Sequence, residues 1–479
     1  MTEIRLASLQ GGAIALGTDT LDTLRQSLRG AVCLPEEAGY DEARTIWNAM
    51  IDRHPGAVVR CKGASDIIRA VTFAREHGVL LAVRAGGHNI AGNAVCEAGL
   101  LLDLSLMRSV RVDPVRRTAL VEPGATLGDF DREAQAFGLA TPLGINSTTG
   151  VAGLTLGGGF GWLSRKFGLS IDNLVSADVV TADGKLEKAS TTENSDLFWA
   201  LRGGGGNFGV VSSFEFGLHP VGPMVLSGLI VHPFAQAREL LAGYRQVAAK
   251  APDELTQWVV LRKAPPLPFL PANVHGKEIL VFAVCYVGDE REGNRALEPL
   301  RSLGTPIADV VGMQPFTAWQ SAFDPLLTPG AYNYWKSHNF VELGDGLLDV
   351  LINQVGMLPT AECEIFIGQL GGAAGRVAPD AMAYPHRNAN FAMNVHTRWR
   401  EPADERRSID WARKLFAEAA PYATGGVYVN FMPEDETDRV SSAYGANYAR
   451  LAALKAKYDP DNLFRLNQNV QPSAQRSAA

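Results

Sequence analysis

The sequence lacks the features that mark membrane, disulfide-linked and nucleic-acid-binding proteins. Its longest apolar run, Ile279–Val287, is far shorter than the roughly 18 residues of a membrane span and suits a buried strand. With 44 Lys and Arg against 51 Asp and Glu, a net charge of −7 and no basic block, we expect no binding to nucleic acid or an anionic membrane. The cysteines number only five and are widely spaced, which indicates neither a disulfide framework nor a metal site: Cys33, Cys61, Cys96, Cys285 and Cys363.

Several motifs are also missing. The amino terminus shows no basic-then-apolar signal pattern, so we expect a cytoplasmic protein. There is no Gly-x-x-x-x-Gly-Lys-Ser/Thr sequence and no pair of histidines or cysteines at ligand spacing, so we expect neither a P-loop nor a metal site. A Gly-x-Gly-x-x-Gly pattern at Gly204, Gly206 and Gly209 follows a predicted helix and precedes a β-rich stretch, which is the reverse of the NAD-binding context.

The residues that are present predict an α+β protein of two or three units. Hydrophobic residues make up 46% of 479, enough for a large core. In the first half, Ser65 is a candidate cap of a helix that ends at Gly78, and Thr126 of a second helix, while Leu174–Thr181 and the segment from Leu186 predict a hairpin.

The sequence pattern changes after residue 220, where longer amphipathic helices alternate with predicted strands. This pattern predicts an antiparallel sheet covered by helices. These helices are Ala235–Lys250 and Arg406–Ala419, and they alternate with predicted strands Gln257–Leu261, Ile279–Val287 and Glu364–Gln369. We expect an amino-terminal unit of two lobes over residues 1–220, a second unit over 221–424 and a carboxyl-terminal segment, 425–479, that returns to the first.

Glycine is abundant, with 49 residues, and it is clustered at 84–93, 150–161 and 203–209. Glycine permits positive φ and lets backbone N–H groups approach a phosphate closely. Each glycine in a helix costs up to about 1 kcal/mol relative to alanine, so the second cluster indicates that something lies close to its backbone. The alternative to a bound group is purely structural. In the first cluster it is a tight turn around His88, and in the second it is a close helix–sheet contact.

These clusters and their flanks resemble the FAD domain of the vanillyl-alcohol-oxidase superfamily, of p-cresol-methylhydroxylase type, in its berberine-bridge-enzyme-like subgroup. The resemblance rests on Val83–Asn89, on Gly150–Gly161 with Arg165–Asn173, and on Asp196–Val211. The closing segment Tyr458–Phe464, followed by Asn467 and Asn469, also matches.

The resemblance implies a fold, a cofactor and a set of residues that hold it. The expected fold is a p-cresol-methylhydroxylase-type FAD domain beside a substrate domain, and His88 is placed where the family forms a covalent bond to the flavin. The other residues implied in FAD binding are Arg84, Ala85, Gly86, Gly87, Asn89, Thr149, Gly150, Gly153, Gly158, Gly161, Val211, Tyr428, Asn430 and Asn467.

The sequence departs from the family at two positions. Asn146 stands where some members carry a cysteine that forms a second covalent link, so we expect a single link through His88. Phe160 stands where some members have a catalytic tyrosine. Thr149, beside Gly150, is a small side chain at a position associated with oxygen access, which favours an oxidase.

The implied activity is hydride transfer from a C–H bond beside an alcohol or amine of a small metabolite to FAD, with electrons passed to O2 to give H2O2. A flavin dehydrogenase with another acceptor and a non-catalytic flavoprotein remain alternatives. Tyr428 is the first candidate for a base, provided that positive charge lowers its pKa. Gln369 and Glu364, on opposite faces of one predicted strand, are the second choice, of which Gln369 could orient a substrate but not deprotonate it. Trp335, Tyr332 and Tyr334 are candidates for an aromatic lining or, equally, for the core.

Overall fold

The computed structural model describes residues 3–474 and confirms an α+β fold. No helix within that range combines the length and apolar character that crossing a bilayer would require. The α-helices are Thr18–Ser27, Tyr40–Arg44, Ala64–His77, Leu127–Gln135, Val151–Leu156, Ser164–Phe167, Ser195–Leu201, Ala237–Lys250, Glu290–Arg301, Phe316–Gln320, Asp345–Val355, Gly372–Gly375, Glu405–Ala419, Val440–Tyr444 and Tyr448–Tyr458.

The amino-terminal part holds four small sheets. Two of them are two-stranded: Glu3–Ala7 with Ala13–Gly17, and His219–Pro220 with Leu139–Ala140. The four-stranded sheet has the spatial order Ala31–Cys33, Ala57–Arg60, Leu100–Asp103 and Leu81–Arg84. The five-stranded sheet has the order Leu186–Ser190, Leu174–Val180, Val210–Gly217, Thr118–Val121 and Val110–Asp113. In the four-stranded sheet Leu100–Asp103 pairs in parallel with both of its neighbours, whereas the five-stranded sheet is antiparallel throughout.

Local sequence explains several of these elements. The side chain of Thr126 accepts from the Asp129 N–H while the Asp129 carboxylate accepts from the Thr126 N–H, so the predicted cap is confirmed as a capping box. The predicted cap at Ser65 is wrong, because the helix Ala64–His77 begins after Gly63 without a side-chain cap. Its predicted end is confirmed, since Gly78 closes it with a left-handed φ of 62°.

A large antiparallel sheet dominates the middle of the chain, as the sequence predicts. Its order is Ala308–Asp309, Met224–Pro233, Glu278–Tyr286, Leu255–Lys263, Glu364–Gln369, Phe391–Trp399 and Tyr332–Phe340, with Gly312–Pro315 also paired to Met224–Pro233. One face packs against helices in an apolar core that includes Leu240, Leu347 and Leu415. The opposite face carries Trp258 and Ala283 and packs against Phe160 and Trp162 of the amino-terminal part.

The carboxyl-terminal residues share a core with the amino-terminal part. Val429, Tyr444 and Leu451 pack in the same cluster as Phe208 and Val211. From Tyr428 on, the sequence predicts a strand and then a helix near Tyr444–Lys457. The strand is wrong, because Val429–Phe431 form a 3₁₀ turn, whereas the helix is found at Tyr448–Tyr458, after the short helix Val440–Tyr444. The predicted division of the chain into units at residues 220 and 424 stays a prediction. Residues 1–2 of the first unit and residues 475–479 of the carboxyl-terminal segment lie outside the described residues.

Candidate active site

Two of the glycine clusters touch each other and form one wall of a large cavity. A Cβ atom built on Gly86 would lie 2.4 Å from the Gly150 Cα, and one built on Gly150 would lie 2.7 Å from the Gly86 Cα. Neither position therefore tolerates a side chain without movement of the backbone. The cavity beside them has a volume of about 360 Å³, and glycines 205, 206 and 209 of the third cluster also line it.

Most residues that the resemblance implies in cofactor binding line this cavity. They are Ala85, Gly86, Gly87, His88, Asn89, Thr149, Gly150, Gly153, Val211, Tyr428, Asn430 and Asn467. They come from segments that are separated by up to several hundred residues, so only the tertiary structure brings them together.

Three residues of that set contact protein instead. The Arg84 guanidinium donates to the Ala43 carbonyl at 2.8 Å and lies 3.5 Å from the Asp103 carboxylate. A Cβ on Gly158 would meet the Tyr384 ring at 3.2 Å, and one on Gly161 would lie 1.9 Å from the Leu143 carbonyl oxygen. These contacts account for the Arg84 side chain and for glycine at positions 158 and 161 by packing within the protein, and their contact with a cofactor stays a prediction.

The cavity wall offers both free space and hydrogen-bonding capacity to a cofactor. A Cβ on Gly153 or Gly206 would meet nothing within 4 Å, although Gly153 lies in a helix where glycine is unfavourable. Both glycines thus leave cavity space that no other described residue fills. Asn467 adds a buried side-chain oxygen, Oδ1, that has no partner among the described residues.

His88 presents a neutral imidazole to the cavity. The ring is half-buried, stacks on Trp47 at 5.2 Å between centroids, and its Nε2 lies 3.2 Å from the Thr148 hydroxyl. Burial lowers the pKa of His88 to about 4, and a hydrogen bond to the Thr148 backbone opposes only part of this shift. The ring therefore keeps a free lone pair at neutral pH.

Asn146 also lines the cavity, and its side-chain oxygen accepts from both the N–H and the hydroxyl of Thr148. Among the described residues no cysteine lines the cavity. Of the imidazoles that line the cavity in the described part of the chain, His88 and His396, only His88 lies within a glycine cluster.

Tyr428 lies in the cavity, but its environment corrects one expectation. Its hydroxyl accepts from the Gly159 N–H at 3.0 Å and from Asn430 Nδ2 at 2.9 Å. Burial raises the pKa of Tyr428 to about 12, which outweighs these two hydrogen bonds. The expectation that positive charge lowers this pKa is wrong, and at neutral pH the phenol stays protonated.

Glu364 and Gln369 lie on opposite faces of one strand, and the structure brings only Glu364 to the cavity. Gln369 is turned away, where its Oε1 accepts from the Gln257 N–H at 3.2 Å and its Nε2 donates to the Ala248 carbonyl at 2.9 Å. Its side chain is therefore used in packing, and we propose no catalytic role for it.

Glu364 is held as a carboxylate. Its Oε2 lies 2.7 Å from Arg262 Nη1, and its Oε1 lies 3.3 Å from His396 Nδ1. Burial favours the neutral acid and would raise the pKa of Glu364. The positive charges of Arg262 and Arg398, together with the hydrogen bond to His396, outweigh burial and lower this pKa. An ionised carboxylate at the cavity wall can accept a proton.

His396 and Asn394, which belong to no recognised sequence motif, line the same end of the cavity. Strand pairing places His396 opposite both Glu364 and Trp335, on neighbouring strands. One signal was available: polar residues recur at every second position, 394, 396 and 398, in a strand whose other residues are apolar except for Thr397. Of the three aromatic candidates, Trp335 lines the cavity, while Tyr332 and Tyr334 lie outside the set of lining residues.

Comparison with known proteins agrees with this geometry. Residues 55–190 match the family model of an FAD binding domain, and residues 427–471 match the model described as berberine and berberine like. An FAD-linked oxidoreductase of Dictyostelium discoideum is 32% identical over 461 residues, which cover 95% of this chain and 97% of that protein. The (R)-6-hydroxynicotine oxidase of Paenarthrobacter nicotinovorans is 30% identical, with 93% of this chain and 97% of that protein covered.

Solved structures show the same fold. The crystal structure of 6-hydroxy-D-nicotine oxidase from Arthrobacter nicotinovorans has a TM-score of 0.83 at 28% identity and covers 93% of this chain and 98% of its own. A chitooligosaccharide oxidase has a TM-score of 0.83 at 25% identity, with 95% and 100% covered. The fold and the site thus define an enzyme of the FAD-linked oxidoreductase class. Within that class, the chain belongs to the berberine-bridge-enzyme-like family.

Proposed function

We propose that this protein is an oxidase that takes a hydride from a C–H bond beside an alcohol or amine of a small molecule and reduces O2 to H2O2. FAD, when bound, supplies the acceptor for the hydride and passes the two electrons to oxygen. The observation that carries the proposal is the shared cavity, in which a neutral His88 imidazole and a glycine wall lie in the same space as the Glu364 carboxylate.

We also propose that different parts of the chain bind the cofactor and the substrate. Residues 1–220 together with 425–479 would hold the cofactor, because the glycine clusters, Tyr428, Asn430 and Asn467 line one part of the cavity. Residues 221–424 would hold the substrate, because Trp335, Glu364, Asn394 and His396 line the other part. The substrate carbon would then be oriented between the two parts, and orientation of this kind supplies several kcal/mol of rate enhancement.

The side chains suggest how a proton would be handled. For an alcohol substrate, Glu364 Oε1 would accept the hydroxyl proton, and His396 Nδ1, 3.3 Å away, would share it. An amine that is already neutral needs no such base. The Tyr428 hydroxyl accepts two hydrogen bonds, so its own proton is free to donate to a bound acceptor.

We propose that His88 carries a single covalent bond to FAD. Acid precipitation of the purified protein tests this: flavin fluorescence is expected in the pellet of the natural protein and in the supernatant of His88→Ala. His77→Ala, which changes a half-buried histidine outside the cavity, is the matched control and should keep flavin in the pellet. Flavin that dissociates from the natural protein on denaturation would contradict the covalent bond.

A screen of secondary alcohols and amines tests the activity. Bleaching of the long-wavelength flavin absorbance without air identifies substrates, and H2O2 formed under air in proportion to O2 consumed supports an oxidase. Reduction of an artificial dye without peroxide would indicate a dehydrogenase. A bound flavin that no substrate bleaches would indicate a non-catalytic flavoprotein.

A further inference from the structure

A second, smaller chamber adjoins the main cavity on the same face of the large sheet. Its volume is about 70 Å³, and its wall includes Val231, Val281 and Ala283 of the sheet and Phe269 and Leu270 of the loop after Leu255–Lys263. Alternating residues of the strand Glu278–Tyr286 face the chamber, while their neighbours face the covering helices.

The chamber and the main cavity share part of their walls. Ile145, Trp258, Leu327, Glu364 and Phe366 line both spaces. Phe366 packs edge-on against Trp258, with 5.0 Å between ring centroids. The shared residues include Glu364, the carboxylate that we propose as the base, so the chamber begins beside the expected position of the reacting carbon.

The chamber wall favours an apolar occupant. Its only charged side chains in the described part of the chain are Arg262 and Glu364, and these are paired with each other at 2.7 Å. A charged or strongly polar group placed there would find no ionic partner and would lose its hydration.

The main cavity, by contrast, offers unpartnered polar atoms. Asn394 is 4% exposed, and its Oδ1 has no hydrogen-bond partner within residues 3–474. The buried Trp335 Nε1 is likewise unpartnered in that range. An acceptor and a donor left unpaired at one end of a cavity indicate a ligand that carries a hydrogen-bonding group.

We infer that the substrate is an amphiphile with two parts: a hydroxyl- or amine-bearing head held near Asn394 and Glu364, and a short alkyl group in the chamber. This deepens the proposed function and rests on it. The chamber has less than half the volume of the roughly 150 Å³ cavity that accommodates benzene, so we expect an alkyl group of roughly two to four carbons and not an aromatic ring there.

A homologous series of 4-n-alkylphenols, from methyl to hexyl, tests the inference by isothermal titration of the flavin-loaded protein. The phenol group supplies the hydrogen-bonding head, and the alkyl group probes the chamber. Burial of each methylene is expected to tighten binding about four-fold until about four carbons, after which the gain stops. Affinity that does not change with alkyl length overturns the inference.

Variants of Val281 test whether the dependence of affinity on alkyl length arises in the chamber. Val281→Thr keeps the size of the side chain and adds a hydroxyl, and we expect it to weaken butylphenol binding several-fold while methylphenol binding stays the same. Val281→Phe fills the chamber and should abolish the dependence on length. Val350→Thr and Val350→Phe, on a half-buried helix position outside both spaces, are the matched controls and should leave the series unchanged.

The two proposals fail in distinguishable ways. A yellow protein that retains flavin and forms peroxide but binds all alkylphenols equally overturns the chamber assignment and leaves the proposed function intact. A colourless protein that does not bind FAD overturns the proposed function, and the chamber assignment with it. Asn394→Ala should weaken every member of the series by the same factor, whereas an effect confined to the long members would contradict the placement of the head.

Discussion

At the scale of the residue, the cavity separates two candidate bases by their surroundings. Tyr428 is buried without a cation, so the pKa of its phenol is raised to about 12. Glu364 is also buried, but the Arg262 guanidinium and His396 lower the pKa of its carboxyl group. Since a base must be deprotonated at the working pH, the structure favours Glu364 over the residue that the sequence analysis placed first.

We therefore predict unequal effects of two conservative variants on alcohol oxidation. Glu364→Gln should lower kcat at least 100-fold throughout pH 5–9, because an amide cannot accept the proton and the natural carboxyl group, whose pKa is lowered, is ionised over that range. Tyr428→Phe should lower kcat less than ten-fold. Steady-state kinetics between pH 5 and 9 check both, and a larger loss in Tyr428→Phe would restore the tyrosine as the base.

At the scale of the element, the glycine clusters serve two purposes that the sequence alone does not separate. Gly86 and Gly150 allow two backbones to touch, whereas Gly153 leaves open space at the cavity. The first purpose concerns folding and the second concerns what occupies the cavity.

Two alanine variants distinguish these purposes. Gly86→Ala places a Cβ 2.4 Å from the Gly150 backbone and should destabilise the fold by a few kcal/mol. Gly153→Ala meets no protein atom and should leave the flavin-free protein as stable as before, or slightly more so, while it lowers the flavin content. Thermal unfolding and the ratio of flavin to protein absorbance measure the two effects. Full flavin content in Gly153→Ala would show that the cofactor does not approach this glycine.

A buried carboxyl group joins the helices Leu127–Gln135 and Phe316–Gln320. Asp131 is buried, and its only hydrogen bond from a residue within 3–474 is that of Gln320 Nε2, at 2.9 Å. Burial raises the pKa of Asp131 to about 7, and the bond from Gln320 opposes this only in part. Between pH 4 and 7 the folded state thus binds more protons than the unfolded state, so this group makes stability fall as pH rises through that window.

Asp131→Asn should remove this loss. We expect the free energy of unfolding of the variant to exceed that of the natural protein by up to about 4 kcal/mol above pH 7, with no gain near pH 4. Urea titrations at pH 4.5 and 8 provide the measurement. Asp129→Asn in the same helix is the control, and it should destabilise at pH 8 because the pKa of Asp129 is lowered by its capping and Arg108 contacts against the effect of burial.

At the scale of the whole molecule, one buried ion pair ties the carboxyl-terminal segment to the glycine wall. Lys455 Nζ contacts the Asp459 carboxylate at 2.6 Å and donates to the carbonyls of Asn207 and Phe464. Asn207 belongs to the third glycine cluster, which lines the cavity. Loss of this contact should therefore affect both folding and cofactor binding.

Lys455→Met should lower the free energy of unfolding by about 3–5 kcal/mol, because it leaves the Asp459 carboxylate buried and unpaired. It should also reduce the flavin content of the purified protein. Lys457→Met removes an exposed lysine paired with Asp196 and should cost less than about 1 kcal/mol. Chemical denaturation of both variants makes the comparison, and equal losses would contradict the anchoring role of Lys455.

The sequence alone determined the features whose cause is local. The glycine clusters, the capped helix after Thr126 and the hairpin from Leu174 follow from backbone freedom, capping and alternation within a few residues, and together they identified the fold class and the flavin family. Only the tertiary structure decided which face of the strand Glu364–Gln369 meets the cavity, that His396 and Asn394 join it, and that Tyr428 lies away from positive charge. Those outcomes depend on strand register and on burial against distant segments, which no local pattern contains.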